Sequence, residues 1–157
     1  MSKRLYRGAS EKGGFTLVEV LVTILIVAIL AAIAIPAFLG QKSKASDSTA
    51  ETQAQTAQTA AEAYETENGG SYKSVSVALL QKIEPTLKDK SSAKLLKAEE
   101  KSTGSGYLVE TESVATKDTY TLERTSTGTF TRTCTVAKEA NPGDCKLTKG
   151  KGTKGAW

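Results

Sequence analysis

Few side chains in this 157-residue chain are of a kind that does chemistry. There is no histidine, and the cysteines are two, Cys134 and Cys145. No acid–base or nucleophile set stands out from the charged surface, so the composition argues against an enzyme and points to no metal or cofactor. The residue that does stand out is Glu19. It lies inside the start of an apolar run in which Val20 to Leu39 carries no charge and only Thr23 is polar. At about 1.5 Å rise per residue, a helix from Phe15 to Leu39 reaches ~37 Å, enough to cross the hydrocarbon core of a bilayer. A carboxylate at the centre of such a helix costs about 2.5–3.5 kcal/mol. Glu19 is nearer the end, which lowers the cost, but a neutral residue would still insert better. An acid in that position is a functional candidate by default.

Residues 1–14 form a short basic leader, with Lys3, Arg4, Arg7 and Lys12 against Glu11, and hold most of the net charge of +4. Those cations favour a cytoplasmic amino terminus, which puts everything after Leu39 outside; Lys42 and Lys44 weaken that bias without reversing it. Residues 15–39 are the hydrophobic half of a helix, with small residues at Ala28, Ala31, Ala32 and Ala34 that allow close helix approach. Pro36 removes one backbone donor and crowds the preceding turn, which predicts a kink or local melting. Residues 40–68 read as the polar continuation of the same helix. Ala50, Ala54, Ala57, Ala61 and Tyr64 recur at spacings of three and four and mark one narrow face. Asn68-Gly69-Gly70 supplies the stop.

A connecting region covers 71–101. Val77, Leu80 and Ile83 make one side of a short helix that Pro85 closes, and the lysine-rich stretch from Lys88 to Lys101 is ambiguous between helix and loop. Strand composition begins at Gly104 and runs to Lys138. Tyr107-Leu108-Val109, Tyr120-Thr121-Leu122 and the stretch from Phe130 to Val136 are rich in threonine, valine and aromatics. Ser126-Thr127-Gly128 reads as a hairpin turn. Tyr120 and Leu122 share a face, as do Phe130, Cys134 and Val136. The expected head is thus α+β, a helix covered by three or four antiparallel strands.

Cys134 and Cys145 both fall outside the membrane on this topology, where a pair of thiols oxidises. The spacing is not that of a redox motif, and further metal ligands are missing. A structural disulfide closing a loop around Asn141-Pro142-Gly143-Asp144 is the expectation. The disulfide loop and tail occupy 134–157, the tail holding Lys146, Lys149, Lys151 and Lys154 among glycines. A basic tail attracts polyanions, but Trp157 is the lone aromatic available for stacking on bases. A solvated, flexible tail pinned by Trp157 is therefore the expectation, with nucleic acid a weak candidate partner.

Lys12-Gly13-Gly14-Phe15-Thr16-Leu17-Val18-Glu19, followed by an unbroken apolar helix, resembles the prepilin signal of type IV pilins and of the related type II secretion pseudopilins. The resemblance is specific from Lys12 to about Gly40 and loose beyond it. It implies that a membrane peptidase cuts after Gly14 and methylates the new terminus at Phe15, and that Glu19 acts in assembly. A peptidase that approaches the backbone closely needs a residue without a side chain at that point; the plainer reading of Gly13-Gly14 is a turn that starts the helix. Pro36 falls where many members have a helix proline. The implied fold is pilin-like, with the 15–39 half-helix in the membrane or filament core and residues 40–157 as the globular head. The implied partners are further copies of the chain, the prepilin peptidase, an assembly ATPase with its membrane platform protein, and membrane lipid. The implied location is the cytoplasmic membrane as a precursor and a cell-surface pilus afterwards.

Major pseudopilins tend to carry an acidic calcium-binding loop near their end. Here only Glu139 and Asp144 are nearby, which favours a pilin with a carboxy-terminal disulfide loop. A minor pilin that binds DNA or a surface is an alternative. So is a soluble domain released by an ordinary signal peptidase at Ala32-Ile33-Ala34, although that reading leaves Glu19 and Gly13-Gly14-Phe15 unexplained.

Overall fold

A computed structural model describes residues 14–137, 145–147 and 154–157. The leader up to Gly13, the Asn141–Asp144 turn with Glu139, and Lys149 and Lys151 lie outside the described residues. The chain divides into two compact units, Met1–Ala37 and Phe38–Trp157.

Helix α1 (Leu17–Glu67) is a single helix that runs through Pro36. It starts two residues later than expected from composition, because Thr16 caps it. It stops where the glycines predict. The N–H of Gly70 donates to the carbonyl of Glu65 at 2.9 Å, with Gly69 and Gly70 both at positive φ. That geometry satisfies carbonyls the helix would otherwise leave open. Helix α2 (Val77–Ile83) follows with Leu80 buried, and a 3₁₀ turn (Pro85–Lys88) ends it.

The head's sheet is larger than expected. Among the described residues it has six strands in the order β1-β2-β3-β4-β6-β5, every pairing antiparallel. These are β1 (Ala93–Lys101), β2 (Gly106–Ser113), β3 (Thr119–Arg124), β4 (Phe130–Thr135), β5 (Lys146–Leu147) and β6 (Lys154–Ala156). The sheet therefore begins at Ala93, inside the stretch read as connecting region.

The reason β1 escapes a reading of the sequence is physical. Its register on β2 shifts between Leu95 and Lys97, a bulge that leaves Leu96 and Lys97 both exposed and returns Ala98 to the core. One extra residue converts strand alternation into a spacing of three that mimics a helix. Ala, Lys, Leu and Glu are also helix formers by propensity, and pairing on β2 overrides them. Lys94 and Lys97 lie opposite Glu112 and Glu110 and pair with them at 3.8 and 3.4 Å. Each such exposed pair contributes only about 0.2–1 kcal/mol.

The carboxy-terminal tail also differs from expectation. Lys146 and Lys154 are not on a free tail but in β5 and β6, with Thr135 paired to Lys154. Trp157 does pin the end. Its Nε1–H donates to the Thr133 carbonyl at 2.9 Å and its ring meets Tyr120 edge-on at 5.9 Å. Phe130 departs from expectation too: beside the 126–128 turn it stays exposed, while Cys134 and Val136 of the same face are buried.

The alanine face packs as read. Ala50, Ala54, Ala57 and Ala61 are fully buried, joined by Ala60. Around the later turns of α1 the core gathers Tyr72, Leu80, Leu87, Tyr107, Val109 and Leu122. Around Ala50 it gathers Ala93, Tyr120, Val136 and the two cysteines. Side chains this small let backbone polar groups approach, and the Thr111 hydroxyl donates to the Ala50 carbonyl at 2.8 Å. Glu62 closes the other end, accepting from the hydroxyls of Tyr72 and Tyr107 at 2.9 Å each, with Arg124 at 3.6 Å. Burial first, and then Glu62, pushes both phenols upward, so they remain donors. Because Ala57 is fully buried against the sheet, Ala57→Leu is expected to cost about 1–3 kcal/mol. Urea unfolding of the detergent-solubilised chain, followed by Trp157 fluorescence, measures it; an unchanged midpoint would contradict the close packing.

Candidate processing and assembly segment

Gly14, Phe15 and Thr16 precede α1 in non-helical conformation. Thr16, immediately before the first helical residue, accepts at its Oγ1 from the Glu19 N–H at 3.2 Å, and its carbonyl accepts from the Val20 N–H at 3.2 Å. Thr16-x-x-Glu19 is thus half of a capping box. A threonine three residues before a glutamate at the head of an apolar run is the recognisable sequence signal for this cap. It gives Glu19 a second reason to exist: a carboxylate in the first turn is stabilised by the helix dipole.

The box is only half made. The bond that forms uses the backbone of Glu19, and its carboxylate is exposed, with no salt bridge to any described residue. Gly14 is equally open: among the described residues nothing lies within 4 Å of where a Cβ would stand. Nothing described in the chain therefore demands a glycine at this position.

Phe15 is 83% exposed, and the large apolar side chains from Leu17 to Leu39 are all exposed with it. A continuous uncovered apolar surface of that size marks a membrane or a protein contact. α1 is long and apolar enough over part of its length to cross a membrane.

In the head, Cys134 and Cys145 are joined as a disulfide. Among the described residues no group of three or more His, Cys, Asp or Glu side chains is placed to hold a metal ion. The pair and the 14–19 segment belong to different units.

The prokaryotic N-terminal methylation motif, the prepilin signal of type IV pilins and pseudopilins, matches residues 10–35. The match thus takes in Gly14, Phe15 and Glu19 and ends before Pro36. No curated protein and no solved structure matches the chain. The head is α+β in a pilin-like arrangement, with the polar half of α1 on the antiparallel sheet.

Proposed function

We propose that this chain is a type IV pilin, a structural subunit that polymerises into a cell-surface filament. It is inserted in the cytoplasmic membrane as a precursor, cut after Gly14, methylated on Phe15 and assembled through the helix from 15 to 39. The observation that carries this reading is the methylation motif set on an uncovered apolar helix that holds an acid. Each part has a physical role. The open backbone at Gly14 suits a peptidase that must approach closely. The apolar surface is soluble only in lipid or against other copies of itself. Glu19 meets the new α-amine of a neighbouring subunit, so that two ions costly in an apolar core compensate each other and set the axial register. Pro36 is where we place a bend in α1. The partners on this reading are the prepilin peptidase, further copies of the chain, and an assembly ATPase with its membrane platform. The disulfide-closed end, in place of an acidic loop, favours a pilin over a pseudopilin.

Intact-mass measurement of the mature protein tests the proposal directly. The expected species begins at Phe15 and carries one added methyl group. A mature chain that begins at Ile35 would replace this reading with an ordinary exported domain.

A further inference from the structure

Two fully buried acids in the head have no part in processing or assembly as described above. Asp47 lies on α1 and Asp118 just before β3, and both are essentially inaccessible. Thr116, in the turn between β2 and β3, stands between them. Its hydroxyl donates to Asp47 Oδ1 and accepts from the Asp118 N–H at 3.2 Å. Asp118 Oδ1 accepts from the Ala137 N–H at 2.9 Å, two residues beyond the end of β4. The other oxygen of each acid, Asp47 Oδ2 and Asp118 Oδ2, is buried without a donor among the described residues.

No cation answers this pair among the described residues. Lys117, at positive φ in the same turn, reaches Glu112 at 3.6 Å, and Lys94 of β1 reaches Glu112 as well. From α1 the charged group bearing on Asp118 is Asp47. Two buried carboxylates held by one hydroxyl and one N–H are under-compensated, and the least costly remedy is a proton on one of them.

We propose that Asp47 and Asp118 form a proton-held clasp that ties α1 to the β2–β3 turn and to the end of β4, and that loosens when the proton leaves. Protonated, Asp118 no longer buries an uncompensated charge at Oδ2 beside the Asp47 carboxylate, and Thr116 keeps its bonds to both residues. Burial raises the Asp118 carboxyl above its usual value near 3.8; the Ala137 N–H opposes that and the Asp47 charge adds to it. In the unfolded chain the same group titrates near that usual value. Between the two values the folded head holds the extra proton, so the clasp's contribution to stability falls as pH rises through that window. Acidification therefore tightens the head where the strand enters the disulfide loop.

The test is a set of thermal melts of the full-length chain in detergent micelles, followed by Trp157 fluorescence from about pH 4 to about pH 8. Trp157 is the single tryptophan and packs on the head. Asp118→Asn keeps an acceptor for Ala137 and brings a permanent donor. It is expected to melt about 4 °C above the natural chain at neutral pH and to lose that advantage toward acid. Asp47→Asn removes the neighbouring charge and is expected to move the natural chain's loss of stability to lower pH. A stability difference between Asp118→Asn and the natural chain that does not vary with pH overturns the proposal. So does a natural chain whose melt rises with calcium and falls with a chelator, since a bound cation then does the work assigned to the proton.

Discussion

Replacing Glu19 with leucine is expected to leave membrane insertion and cleavage after Gly14 intact, yet lower the chain's share of sheared filaments by about a hundredfold to a few thousandfold. The magnitude follows from breaking a desolvated ion pair. Removing one partner leaves the other charge buried and uncompensated, at a cost of about 3–5 kcal/mol. The α-amine left by cleavage has a reference pKa of about 7.7–8.0, and methylation leaves it able to carry a charge. The capping geometry supplies the necessary control. Thr16 accepts from the backbone N–H of Glu19, so leucine keeps that bond and the helix still starts at Leu17. Glutamine keeps in addition a side chain able to complete the capping box, and lacks only the charge. If Glu19 serves its own helix, Glu19→Gln assembles normally and Glu19→Leu is mildly affected at most. If it pairs between subunits, both variants accumulate in the membrane fraction and both are missing from filaments. Quantifying each variant in the two fractions separates these outcomes, and normal filament yield from Glu19→Leu would remove the acid from assembly.

The parts of this chain that could be read from its sequence are those in which one short-range rule acts alone. Ala50, Ala54, Ala57 and Ala61 obey helical spacing over several turns, and all four are buried. Gly69 and Gly70 end α1 because they take positive φ at little cost, as they do here. The hairpin at 126–128 formed where its turn residues stand, with the Gly128 N–H donating to the Thr125 carbonyl at 3.0 Å. What escaped depends on a partner distant in sequence. β1 is a strand because β2 pairs with it, and its bulge hides the alternation. β6 holds Lys154, Gly155 and Ala156, a composition poor in strand formers, and exists by lying between β4 and β5. Asp47 and Asp118 look like surface acids in sequence; only the fold buries them together. The candidate segment was the reverse case. Gly14, Phe15 and Glu19 are local in sequence, and the Thr16 cap is just as local.

Loss of the Cys134–Cys145 bond is expected to destabilise the head by about 3 kcal/mol without affecting insertion or cleavage. The two cysteines are 11 residues apart, and in the chain-entropy account a loop of that size is worth about 3 kcal/mol. The structure shows what the loop holds. β6 pairs with β4 on one side and β5 on the other, through Cys134 opposite Gly155 and Gly155 opposite Leu147. Both short strands thus depend on a register that the bond fixes from β4 to the start of β5. Gly155 makes that close approach possible, since a Cβ there would collide with the Lys146 carbonyl. Cys134 and Cys145 are themselves buried in the cluster with Ala50, Ala93, Tyr120 and Val136. Serine at position 134 would add the desolvation of a hydroxyl to the lost bond, so the cleaner variant is the double change to alanine. Its urea midpoint should fall in proportion to the ~3 kcal/mol, with an unchanged slope if the rest of the head still unfolds as one unit. Gly155→Ala should release Trp157 from Tyr120 with the bond intact, a change visible as altered tryptophan emission. If the double alanine variant keeps the natural midpoint, β5 and β6 are held by their own pairing and by Trp157, and the disulfide contributes little to the folded head.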